Sequence, residues 1–282
     1  MKNILSEIIE NKKKEVEERK SLCPVKLLEK SIFFNTQPVS LKKYLLRKDK
    51  SGIIAEFKTK SPSKGEINPY AQIEKISVDY MKAGASALSV LTDNVFFGGS
   101  FKNLTTARKY NYCPILQKDF FIDEYQIIEA KSIGADAILL IASVLSKSKL
   151  QSMSQLAFSL GMEVLFEVSK ADEIQKLNTW VEIVGVNNRD LNSFKTDSEK
   201  SELMATELPD NLVKVSESGI SSVESVQRLK SVGYSGFLVG ESFMKTNNPG
   251  KACKYLIDEL NQNNVNRNNK NQAYETQSLR NQ

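Results

Sequence analysis

A chain of 282 residues, 40% apolar and 26% charged, is long enough to bury one large core and ordinary in composition for a globular protein. Its formal charge of +5 comes from basic residues interleaved with acidic ones, which argues against a nucleic-acid patch, and no apolar run approaches the roughly 20 residues of a membrane helix. The absence of histidine excludes a Ser-His-Asp triad and any His-based metal site, so acid–base chemistry near neutral pH falls to Lys, Glu, Asp, Tyr or Cys.

The first 46 residues read as an N-terminal helical extension. Ile4, Leu5, Ile8 and Ile9 recur at helical spacing, and Pro24 and Pro38 break the remainder of the extension into short pieces. The charged run from Lys12 to Lys20 reads as a solvated helix face with i,i+4 pairs. The N-terminus lacks the uninterrupted apolar stretch of a signal peptide, which makes the cytoplasm the expected location. Cys23, Cys113 and Cys253 are odd in number and form no C-x-x-C pair, so they are expected to be packing thiols rather than metal ligands or disulfides.

From Gly52 a different rhythm begins. Short, β-branched-rich apolar runs occur at 53–57, 87–91, 114–117, 137–142, 163–168, 182–186, 212–215 and 236–239, each continuous as buried parallel strands are. Stretches such as 124–133, 149–160 and 222–232 between them are long enough for helices. Gly84, Gly134, Gly161 and Gly233 each close such a stretch, at separations of 50, 27 and 72 residues, near multiples of a β-then-α unit of about 25. Eight such units predict a TIM (β/α)₈ barrel over residues 47–260. The open doubly wound alternative usually carries a G-x-G-x-x-G turn, which is absent. Residues 261–282 contain eight Asn and four Gln and are expected to be a disordered polar tail.

Barrel active sites lie at the C-terminal ends of the strands. Glu56 and Lys58 are two apart and share a face of the first strand, costly inside a barrel mouth unless paired or used. Lys118 ends the third strand, Glu167 the fifth, Asn187 to Arg189 the sixth, and Glu217 and Ser218 the seventh; so many polar strand ends point to one pocket. Gly219 and Gly240, after strands seven and eight, suggest backbone N–H groups for a phosphate. Burial should raise the Glu pKa values and lower those of Lys, with mutual attraction opposing both, which would assign the alkaline limb of a pH profile mainly to Lys118.

The run from Ile54 to Gly65 (IAEFKTKSPSKG) resembles the signature of indole-3-glycerol phosphate synthases. So do Leu91-Thr92-Asp93 with Phe97-Gly98-Gly99-Ser100, Leu116-Gln117-Lys118-Asp119-Phe120, Val186 to Leu191, and Val215 to Ile220. The resemblance implies ring closure of 1-(2-carboxyphenylamino)-1-deoxyribulose 5-phosphate with loss of CO₂ and water, in tryptophan synthesis and without metal or cofactor. It implies Lys118 as general acid, Glu167 as base or carboxylate stabiliser, and Glu56 and Lys58 as a supporting pair. Ser61, Asn187 and Arg189 would position substrate, and Pro62, Phe97, Phe120 and Leu191 would wall its ring. Glu217 and Ser218 would be strand-seven site residues, and Lys58, Gly219, Gly240 and Glu241 would serve the phosphate. The substrate is then a small phosphorylated molecule, and other tryptophan-pathway enzymes are candidate partners. The rivals are another phosphate-binding barrel, such as phosphoribosylanthranilate isomerase, and a non-catalytic barrel scaffold.

Overall fold

The computed structural model describes residues 4–190, 195–197 and 199–262. Eight parallel strands close into one barrel: β1 (Ile53–Phe57), β2 (Ala87–Leu91), β3 (Ile115–Lys118), β4 (Ala137–Ile141), β5 (Glu163–Val168), β6 (Ile183–Asn187), β7 (Val213–Glu217) and β8 (Tyr234–Val239). They run in chain order around the barrel, and β8 closes on β1 through Ile54 opposite Leu238. Closure leaves no sheet edge, and it lets strands buried on both faces read as continuous apolar runs.

Strand parity sorts the side chains into two cores. Ile54, Leu116, Leu139, Leu165, Val215 and Leu238 fill the barrel interior. Ala55, Phe57, Val90, Leu140, Phe166 and Val239 face the surrounding helices. Those helices start at polar caps: Ser100 accepts from Asn103 N–H, Ser146 from Lys149 N–H, and Asp123 with Gln126 closes a capping box. The four glycines that close helices take the positive φ expected of them.

The N-terminal extension contains α1 (Ile4–Leu22), α2 (Val25–Leu28) and α3 (Leu41–Leu45). Leu41 and Leu45 enter the interior core, and Ser40 and Lys42 bind Glu163 at the start of β5, so α3 plugs the N-terminal end of the barrel. Helix α1 lies at the opposite end, where Lys12 reaches the residues that follow β2 and β3.

Not every unit has a full helix. Only the 14 residues 169–182 separate β5 from β6, and they form a 3₁₀ turn at Ala171–Lys176. The last helix runs through 262, two residues past the expected barrel boundary. Residues 263–282, and with them most of the expected polar tail, lie outside the described residues. No helix among the described residues is long and apolar enough to cross a membrane.

Candidate active site

A cavity of about 560 Å³ opens at the C-terminal end of the barrel. Fifteen of the sixteen sequence-predicted site residues line it, from Glu56 on β1 to Glu241 after β8. The sixteenth, Leu191, lies outside the described residues.

Five charged side chains meet at its floor. Lys118 Nζ lies 3.1 Å from Glu167 Oε2 and also contacts Glu217 Oε2. Asn187 Nδ2 donates to the other Glu167 oxygen at 3.1 Å. Lys58 Nζ donates to Glu56 Oε1 at 2.9 Å, and Ser89 Oγ donates to Glu56 Oε2 at 3.3 Å. Two glycines make room for these carboxylates. A Cβ on Gly185 would collide with Glu217 Oε1, and a Cβ on Gly240 would lie 2.5 Å from Glu56 Oε1. Gly240 therefore has a packing duty as well as the phosphate-approach role expected of it.

The electrostatics depart from expectation at Lys118. Burial alone would lower its pKa, but the carboxylates of Glu217, Glu167 and Glu56 outweigh burial, and the net shift is upward. Lys118 is thus held as an ammonium, against the downward shift expected of it. Glu217 also moves up, but for the opposite reason: burial pushes its carboxyl up to about 7, against the pull of Lys118. Its Oε1 has no hydrogen-bond partner among the described residues.

Apolar and polar groups divide the cavity above this floor. Phe97 and Phe120 form one wall, their ring centroids 6.0 Å apart. Opposite, Arg189 donates to Ser63 Oγ at 2.9 Å and to Glu241 Oε2 at 3.0 Å. Burial would raise the Glu241 carboxyl, but its bond to Arg189 prevails and lowers it. An ionised carboxylate turned to Arg189 is unsuited to an anion, so a phosphate could meet Glu241 only through its backbone. Ser218 and Gly219 follow β7 with φ of 69° and 78°, a turn that exposes successive backbone groups to the cavity.

Sequence reasoning missed part of this lining. Ser63, Lys64, Asp93 and Asp119 sit within the quoted motifs yet received no role. Lys12 was misread: instead of a solvated face, its side chain is 1% exposed and ion-paired at 2.9 Å to both Asp93 and Asp119. A three-lysine run hides which member turns inward; the spacing Ile8-Lys12-Val16, all on one helical stripe, was the available signal. The three cysteines are free, with Cys113 and Cys253 buried.

The sequence profile for Indole-3-glycerol phosphate synthase matches residues 5–256. The chain belongs to this family. An indole-3-glycerol phosphate synthase from Bacteroides thetaiotaomicron is 50% identical over 260 residues, spanning 92% of this chain and all of the relative. A synthase of the same name from Carboxydothermus hydrogenoformans is 40% identical, spanning 90% of this chain and 99% of the relative. Among solved structures, 3-hexulose-6-phosphate synthase from Salmonella typhimurium superposes with a TM-score of 0.59 at 12% identity, over 74% of this chain and 98% of its own. The tryptophan synthase alpha chain from Legionella pneumophila gives 0.56 at 13%, over 79% and 95%. These two likenesses bear on the barrel fold alone. The indole-3-glycerol phosphate synthase family comprises carboxy-lyases of tryptophan biosynthesis, and its profile spans both the α1 extension and the barrel.

Proposed function

We infer that the chain closes the indole ring of indole-3-glycerol phosphate, with Lys118 as the proton donor. The observation that carries this reading is the Lys118 ammonium, held between Glu167 and Glu217 at the floor of the cavity, below the apolar Phe97–Phe120 wall. In this reading the ring carbon bearing the carboxylate attacks the ketone carbon, and Lys118 passes a proton to the ketone oxygen. CO₂ departs and restores the aromatic ring. The new hydroxyl then takes a proton from the Lys58 ammonium and leaves as water, while Glu167 takes a proton from the methylene carbon beside the nitrogen, which forms the last double bond of indole.

Much of the rate would come from holding ring and ketone together, a service that well-oriented sites supply on the order of 10⁵ M and above in effective concentration. Phe97, Phe120 and Pro62 would grip the ring, and Ser61, Asn187 and Arg189 would orient the substrate. Glu56 and Lys58 would support the proton transfers. The phosphate would sit by the backbone of Ser218–Gly219 and Gly240, with Lys58 near, as suits an anion at converging N–H groups. Three free cysteines suit a reducing cytoplasm. Mass analysis of the purified protein mixed with 1-(2-carboxyphenylamino)-1-deoxyribulose 5-phosphate tests the reaction. The product is expected to lack one CO₂ and one water; an unchanged substrate, or loss of water alone, would refute it.

A further inference from the structure

Lys12 is the one lysine of α1 that turns fully inward, and it does so at the edge of the reaction cavity. Its ammonium donates a hydrogen bond to Glu15 at 2.8 Å and is ion-paired with Asp93 and Asp119 at 2.9 Å each. Docking a helix does not call for a buried ion cluster, because desolvation offsets most of the attraction. Moreover, α1 already has Arg19 paired with Glu129 at 3.0 Å and Lys20 with Asp123 at 2.7 Å. What sets Lys12 apart is where its partners sit. Asp93 follows β2 and accepts from Phe96 N–H at 2.8 Å. Asp119 follows β3 and accepts from Phe120 N–H at 2.8 Å and Thr92 Oγ1 at 2.5 Å. Both line the cavity beside Phe97 and Phe120. Ile8, one turn before Lys12, packs in the same apolar cluster as those two rings.

We propose that Lys12 is a positioning residue for ring closure: its ammonium ties the loops after β2 and β3 together through Asp93 and Asp119, and so fixes the Phe97–Phe120 wall that grips the aromatic ring. This role rests on the functional reading above. Lys118 is held separately, by Glu167 and Glu217 from the other side of the floor. Loss of Lys12 should therefore weaken substrate binding more than the chemical step. Glu15 belongs to the same helix, so Lys12 couples the N-terminal extension to the site rather than capping it passively.

The test is Lys12→Met in the full chain, read by steady-state kinetics and by hydrogen exchange of segments 93–100 and 119–123. The expected result is a KM raised about tenfold or more with kcat within about threefold, the pattern of lost uniform binding. Exchange should quicken in those two segments and stay unchanged in β6 to β8. If Lys12→Met does not fold, Lys12→Gln, which keeps two donors but no charge, is read in the same way. An unchanged KM, a fall in kcat alone, or exchange that quickens evenly over the whole barrel would overturn the proposal. Wild-type turnover is measured first: its absence would refute the functional reading, while the exchange result would still decide whether Lys12 clamps the two loops.

Discussion

Three carboxylates, Glu56, Glu167 and Glu217, face two ammonium groups, Lys58 and Lys118, on one cavity floor. One negative charge is left over, and Glu217 is the carboxyl that burial drives toward the neutral form, up to about 7 from an ordinary 4.5. The folded protein therefore holds a proton that the unfolded chain releases between those two values. Stability falls as pH rises through that window, and Glu217 weakens the fold above it. Glu217→Gln is accordingly expected to raise Tm at pH 7.5, and to flatten the dependence of Tm on pH between 5 and 7.5, while lowering turnover. Thermal melts across that range check it; a lower Tm at pH 7.5 would show that the contact with Lys118 outweighs the cost of burying the charge. At this scale the sequence was legible where parity along a strand decides: Glu56, Lys118, Glu167 and Glu217 were all readable as inward. It was not legible where a residue acts by having no side chain. Gly185 looks like any glycine in an apolar strand, and only the barrel's register brings Glu217 across it.

Elements were legible to the extent that local chemistry fixes them. Strand ends came within two residues of the expected positions because apolar runs stop where the mouth becomes polar. The fifth connection escaped, since a turn in place of a helix is a matter of length rather than periodicity. Helix α1 was legible as a helix, but the inward member of its three-lysine run was not read, because only the helical phase set by Ile8 and Val16 tells Lys12 from Lys13 and Lys14. At the other end, Cys253, Leu256, Ile257 and Leu260 of the last helix are in the core, and the residues beyond it are almost all polar. Truncation after Gln262 is expected to leave Tm and turnover nearly unchanged, because the removed segment has little apolar surface to bury. A clear drop in either, measured on the purified truncated chain, would mean that residues 263–282 dock on the barrel.

On the scale of the whole molecule, the closed barrel turns residues up to 161 positions apart, Glu56 to Glu217, into one charged floor, and the N-terminal extension plugs the N-terminal end with α3 while α1 packs beside the open mouth. Family membership, the strand-end chemistry and the cavity agree on one reaction, and that agreement rests most heavily on Lys118 as the acid. The most direct measurement is near-ultraviolet fluorescence of the indole product, followed in parallel for the wild type and for Lys118→Ala, both first shown by circular dichroism to be folded. Wild type should give a steady rise with substrate, and Lys118→Ala a rise slower by about 10²–10⁴, the usual worth of a positioned general acid. A Lys118→Ala rate within about fivefold of wild type, far below that range, would contradict the assignment of the acid, and a flat wild-type trace would contradict the reaction itself.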